Sequence, residues 1–459
     1  MTTTLQDPAL AYFSGQLLTP NDDAYEQVRR VWNGAIDRRP AFIARCGTTE
    51  DVVAALRFGR RHDLPIAVRG GGHSIPGYST CEGGLLIDLQ PMSSVVVSAH
   101  NRTANVGAGV LWRGLDAAAQ AHGLATPGGE ISHTGVAGLT LGGGIGWLSR
   151  LHGLAADNLI GVRLVTAAGD VLDVSDDTDP ELMWGLRGGG GNFGIVTRFT
   201  FRLHPVGPFF GGMALYPGHL AAEVLRAVVE FGDTAPRATG LTAAMLSAPP
   251  APFVPPDMVG APIVGVAAAH FAEVGEGEAL LAPLRRLGPP LVDTFGEASY
   301  VALQQLFDEG TPHGRQYYVK SDFLSGLDDE ALDRLASYGT TPTSPFNQVL
   351  LRRLGGRISD VDSEATAFGL RDAEHMLMVA GGWDQPDLDA SQHVDWVRAT
   401  WQAVRPWASG TYVNHLGDEG TDRLREAYTP RTWQRLTALK GRLDPENVFA
   451  LNQNIPPRG

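Results

Sequence analysis

The chain has 459 residues, 36 Lys plus Arg against 50 Asp plus Glu for a net charge of −14, and a hydrophobic fraction of 43%. That length suits two ordinary domains, and the acidic balance argues against a nucleic-acid partner, which needs concentrated positive surface. No stretch approaches 18 uninterrupted apolar residues, and MTTTLQDPALAYFSGQLL has no basic run before an apolar core, so no membrane span and a cytoplasmic location are expected.

Taken in order, Thr48 and Thr49 precede an amphipathic helix from Asp51 to about His62. Leu64-Pro65 ends it, and Ile66-Ala67-Val68 reads as a buried strand entering the glycines at 70–72. Strands follow at Leu85–Leu89, Val95–Val97 and Ala104–Val106, then a helix from Trp112 to His122 closed by Gly123. A second glycine cluster spans LTLGGGIGWLSR (139–150). Strands Val162–Thr166 and Val171–Val174 flank a tight turn at 168–170. A helix around 179–186 leads to the third cluster, Gly188–Gly191, and then to an alternating strand Ile195–Phe201.

After Pro205 the glycine clusters thin out. A proline-rich loop at 248–256 and longer helical patterns such as 276–286 appear, as expected of a second domain built on an antiparallel sheet. The tail predicts a strand at Tyr412, a long amphipathic helix over 421–442 and an Asn/Pro-rich end. Cys46 and Cys81 are the only cysteines. No CxxC or Cys/His cluster offers a metal site, and two buried thiols are expected in preference to a disulfide.

Glycine clusters beside strands signal close backbone approach, often to phosphate, because glycine leaves its N–H exposed and tolerates positive φ. No GxxxxGK[ST] is present. Gly189, Gly191 and Gly194 satisfy GxGxxG, but with a helix before and a strand after, the reverse of a dinucleotide fingerprint. Alone, then, Arg69-Gly70-Gly71-Gly72-His73-Ser74 supports only an imidazole placed where a bound group packs on backbone amides.

Several motifs together carry a resemblance: RGGGHS at 69–74, GGLLIDL at 83–89, GLTLGGGIGWLSR at 138–150, GLAADN at 153–158 and RGGGGNFGIVT at 187–197. Tyr-Val-Asn-His at 412–415 and DPENVFALNQNIP at 444–456 complete the set. They resemble the FAD-linked oxidases of the berberine-bridge-enzyme-like group in the vanillyl-alcohol-oxidase superfamily. The resemblance implies an α+β fold: a PCMH-type FAD-binding domain of two α/β subdomains (1–205 and 410–459) and a substrate domain (206–409) whose antiparallel sheet is flanked by helices. It implies FAD bonded to His73, with Arg69, Gly70, Gly71, Gly72 and Ser74 at the pyrophosphate. Gly138, Gly142, Gly143, Gly146, Asn158, Gly194, Ile195, Val196, Tyr412, Asn414 and Asn452 would be further cofactor contacts. Many members add a second link through a cysteine; the matching position here is Ile131, so a single link is expected.

The implied chemistry is oxidation of a small alcohol- or amine-bearing substrate with O2 as electron acceptor, in secondary metabolism. Thr134 matches the position governing oxygen access, with a turn threonine as the plain alternative. His415 stands where the group often has tyrosine, and an imidazole of ordinary pKa near ~6.5 suits a catalytic base; substrate contact or a structural role are the alternatives. Tyr318 and Lys320, at i and i+2 of a strand, would share the face toward the flavin, or else form a solvated face. His133 would line the same pocket. A dehydrogenase, an oxygenating enzyme and a non-catalytic flavin-fold protein are the competing functions.

Overall fold

The first long helix, Thr49–Arg61, starts where it does because of a reciprocal cap. The Thr48 hydroxyl accepts from Asp51 N at 3.1 Å, and the Asp51 carboxylate accepts from Thr48 N at 3.0 Å. Its apolar face, with Val52, Ala55, Leu56 and Phe58, packs on a four-stranded sheet. There Leu85–Asp88 lies between Phe42–Arg45 and Ile66–Arg69, parallel to both, and Gln16–Leu18 adds an antiparallel edge. The central strands read as uninterrupted apolar runs because both faces are covered. The computed structural model describes residues 7–250, 254, 256–384 and 389–458. Parts of the N-terminal stretch and of the proline-rich loop at 248–256 therefore lie outside the described residues.

A five-stranded antiparallel sheet follows, in the order Val95–Ser98, Thr103–Gly107, Ile195–Arg202, Leu159–Val165, Val171–Val174. It shares one core with the first sheet and with the tail: Phe58, Trp112, Leu164, Phe199, Leu436 and Ile455 are all buried in it. A nine-stranded sheet runs from Phe209–Pro217 to Ala408–Gly410, antiparallel throughout. Helices Ala221–Thr234, Asp329–Gly339 and Ser391–Ala403 cover one of its faces around Val224, Leu335, Leu377 and Val397. This is the expected α+β architecture. Among the described residues no helix is long and apolar enough to cross a membrane. Cys46 and Cys81 are free and buried.

Three elements differ from expectation. The predicted strand at Tyr412 is instead the entry to a short 3-10 turn, Val413–His415, because the sheet edge ends at Gly410. The long helix over 421–442 is two helices, Gly420–Arg425 and Pro430–Leu443. Pro430 fits only the first turn of a helix, and Thr429 caps it by accepting from Thr432 N at 3.1 Å. The helix over 276–286 stops at Leu281 and tightens to a 3-10 turn over Ala282–Arg285, which contains Pro283.

The second tail helix is anchored by a wholly buried ion pair, Lys440 Nζ to Asp444 Oδ2 at 2.7 Å. Lys440 also donates to the carbonyls of Asn192 (3.0 Å) and Phe449 (3.1 Å), while Asp444 accepts from Val448 N and Phe449 N. Lys440→Met leaves the Asp444 carboxylate buried and unpaired, a loss of about 3–5 kcal/mol. A lowered midpoint of thermal unfolding measures it; an unchanged midpoint contradicts this role.

Candidate functional site

Strand Ile66–Arg69 delivers the chain to a glycine turn, and Arg69 fixes where that turn begins. Its guanidinium is 1% exposed and held by Asp88, with Nε to Oδ1 at 3.1 Å and Nη2 to Oδ2 at 2.9 Å. Nη1 donates to the carbonyls of Val28 and Arg30. The Arg69 side chain is therefore a strut beneath the turn, engaged by Asp88 and two carbonyls and absent from the cavity lining. Beyond it, a Cβ on Gly71 would overlap the backbone of Gly135, and one on Gly135 would overlap Gly71; the two loops pack backbone on backbone. Gly72 has φ of +77°, which favours glycine. Among the described residues, none of the backbone N–H groups from Gly70 through Ile75 donates to a protein acceptor.

These amides border a cavity of about 390 Å³. Gly70, Gly71, Gly72, His73, Ser74, Thr134, Gly138, Gly194, Ile195, Val196, Tyr412, Asn414, His415 and Asn452 all line it, bringing the glycine clusters and the tail together. The Oδ1 of Asn452 is buried without a partner. Ile131 lines the cavity too, and neither cysteine does. Asn414 donates to Leu139 O (2.9 Å) and to the Tyr412 hydroxyl (2.8 Å), which also accepts from Gly144 N at 2.9 Å.

Other expected contacts lie elsewhere. Gly142 packs against the Asn414 amide, Gly143 against the Phe368 ring and Gly146 against the Gly128 carbonyl, so each serves close packing behind the cavity wall. Asn158 donates to the His152 and Leu154 carbonyls and bonds His204 Nε2 at 2.7 Å, bracing a turn outside the cavity. Tyr318 and Lys320 do share a face, but the opposite one. Tyr318 packs toward the helices with Arg398 over its ring, and Lys320 pairs with Glu419 beside Trp401. Strand alternation gives the cavity Tyr317 and Val319 instead. His133 does not line the cavity; its Nδ1 stands 3.0 Å from His73 Nε2, behind that ring.

Several residues here carry no sequence signal of their own. Trp32 stacks on His73 (5.1 Å between centroids, 17° between planes) and on Tyr317 (4.1 Å, 8°). Arg352 lines the cavity with Gln348 and Leu350, two residues apart on strand Gln348–Arg353, and forms a bidentate buried pair with Glu130. Burial, with Arg352 adding to it, pushes His415 down to about 3, so its imidazole is neutral and not the mid-range group expected. His415 Nδ1 lies 3.3 Å from the Ser321 hydroxyl. Burial, followed by the neighbouring His133 and His313, likewise holds His73 well below the ordinary histidine value.

Residues 40–175 match the family model of an FAD binding domain, and residues 411–456 match that of berberine and berberine-like proteins. An FAD-linked oxidoreductase of Dictyostelium discoideum is 32% identical over 447 residues, covering 96% of this chain and 95% of that protein. (R)-6-hydroxynicotine oxidase of Paenarthrobacter nicotinovorans is 30% identical over 476 residues, covering 97% of each. In structure, 6-hydroxy-D-nicotine oxidase from Arthrobacter nicotinovorans matches with a TM-score of 0.88 at 26% identity, covering 97% of this chain and 98% of that one. The free amides of 70–75 suit an anionic pyrophosphate, and the unpartnered Asn452 oxygen suits an N–H or O–H of the same cofactor. The chain belongs to the berberine-bridge-enzyme-like family and is an FAD-dependent oxidoreductase.

Proposed function

We propose that the protein is an O2-using oxidase of a small alcohol- or amine-bearing substrate, with its FAD bonded once, to His73. The observation that carries this reading is the placement of His73: a neutral imidazole at the end of a run of free amides, locked against Trp32 and bordering the cavity. With Ile131 on the same wall and both cysteines elsewhere, no thiol is in reach for a second bond. FAD held along the 70–75 amides and bonded to His73 would supply the acceptor for a substrate hydride and the route of its electron pair to O2.

The chain's own groups handle the substrate and its proton. Tyr317, Val319, Leu350, Met376 and Met378 line the cavity with apolar surface, and Arg352, Glu130 and His415 add polar groups to it. Glu130 neutralises Arg352, so the wall offers directed donors and acceptors with little net charge. Neutral His415 accepts the substrate O–H or N–H. Its depressed basicity is adequate, because an alcohol carbon losing hydride leaves a protonated carbonyl, a far stronger acid than imidazolium. Thr134 lines the cavity beside Gly135, where a small side chain leaves room for O2.

Acid precipitation should leave flavin on the wild-type, Cys46→Ala and Cys81→Ala chains and release it from His73→Ala; complete release from the wild type contradicts the covalent link. Gly71→Ala pushes a methyl group into Gly135 and should lower flavin content, read as the 450 to 280 nm absorbance ratio (~450, ~280 nm, the flavin and protein bands). After anaerobic reduction, air should reoxidise the flavin rapidly with peroxide release, whereas sluggish reoxidation identifies a dehydrogenase. His415→Ala should lower kcat/KM by about 10²-fold or more. Because its neutral form persists as pH falls until about 3, the wild-type profile should show no limb near the ordinary histidine value that depends on His415. Such a limb, lost in His415→Gln, contradicts the assignment.

A further inference from the structure

Three histidines far apart in the sequence, with no metal-site spacing to announce them, meet beside the glycine turn. His133 Nδ1 lies 3.0 Å from His73 Nε2, and the two ring centroids are 4.9 Å apart. His313 closes against both rings, at 5.3 and 5.0 Å. One nitrogen from each of the three falls within 4.8 Å of the others. The cluster stands behind the cavity: His73 lines it, and neither His133 nor His313 does.

Orientation, spacing and access all suit a cation. Trp32 stacks on His73 and Tyr317 stacks on Trp32, so the His73 ring is held with Nε2 toward His133. Two imidazole nitrogens on one tetrahedral ion stand about 3.4 Å apart, so the His73–His133 pair is already close to a chelating bite. His313 is exposed, on the segment leading into strand Gln316–Leu324, and is the ring free to close the remaining distance. Its exposure also gives an ion a path in and a coordination position open to water. Burial disfavours the charged form of all three rings, which preserves the lone pairs that a metal ion needs.

We propose that His73 Nε2, His133 Nδ1 and one nitrogen of His313 form a binding site for a divalent first-row transition ion such as Zn2+. Imidazole ligands without a carboxylate select this class over Mg2+ and Ca2+, which take oxygen. The flavin bond proposed at His73 is compatible with the site. With Nε2 turned to His133, the nitrogen left for the flavin is Nδ1. An imidazole alkylated there has no hydrogen on Nε2, only a lone pair. His73 and His133 belong to the glycine-rich half of the chain, and His313 to the half that carries the large sheet. The ion is therefore a clasp between the two halves beside the flavin link.

Untagged full-length holoenzyme is stripped with EDTA, dialysed against Zn2+ and desalted, and its zinc is counted by atomic emission. Wild type should retain one Zn2+ per chain, and so should His100→Ala, which removes an exposed histidine elsewhere. His313→Ala should keep its flavin and bind Zn2+ more than about 10²-fold more weakly, beyond what losing an outer-shell partner costs. Zn2+ should raise the midpoint of thermal unfolding of the wild type and leave that of His313→Ala unchanged. If His313→Ala does not retain flavin, His313→Phe, which keeps a ring without a ligand nitrogen, is read in its place. A wild type that retains no Zn2+, or a His313 variant that retains as much as wild type, overturns the proposal. Acid extraction of flavin from the same samples reads the His73 link separately, so failure of either is visible without the other.

Discussion

A run of backbone amides with no protein acceptor, from Gly70 through Ile75, is the constraint around which the rest of the chain is arranged. A buried donor left unpaired costs about 1–3 kcal/mol, so the turn does not hold itself open. Its shape is imposed from outside. The buried Arg69–Asp88 pair sets the end of the entering strand, Gly135 packs backbone to backbone on Gly71, and Trp32 N donates to Gly72 O at 3.1 Å. Each of these props comes from a different part of the chain. The amide run is therefore pre-organised for an anionic group, and the family assignment supplies one in the pyrophosphate of FAD.

The opposite wall is built by the large sheet, and buried charge determines how it is presented. Glu130, from the glycine-rich half, reaches Arg352 on a sheet strand, and both line the cavity. The tail that carries Tyr412, Asn414 and His415 is tied to the same sheet by a second set of ions. Asp322 bonds Arg423, Arg405 and the Trp401 indole, and Lys320 pairs with Glu419. His415 is thereby fixed in a desolvated place beside Arg352, and that surrounding keeps its imidazole neutral. Lys320, expected on the face toward the flavin, instead pairs with Glu419 of the tail segment, four residues after His415.

What was legible in the sequence followed from local rules. The Thr48 cap, the buried strand Ile66–Arg69 and the glycine turn after it each depend on residues within a few positions of one another, and each forms as read. The antiparallel second sheet was legible from its pattern as well. Strand parity was not: pairing residues two apart correctly placed Tyr318 and Lys320 on one face, but only the packing of helix Ser391–Ala403 decides which face meets the cavity. The bracing role of the Arg69 side chain was not legible, because its partner, Asp88, lies on a neighbouring strand. Trp32, Glu130, His313 and Arg352 gave no signal, since their meaning comes from contacts between distant segments. The acidity of His415 is likewise a property of its burial and not of its residue type.

The covalent link proposed at the end of the amide run can be read in a single experiment. Trypsin cutting after Arg69 and Arg102 releases residues 70–102, which contain both His73 and Cys81. Fragmentation mass spectrometry of that peptide from the yellow holoenzyme should find FAD added to His73, less the two hydrogens lost in forming the bond. An unmodified peptide, with all flavin free in the digest, would contradict it.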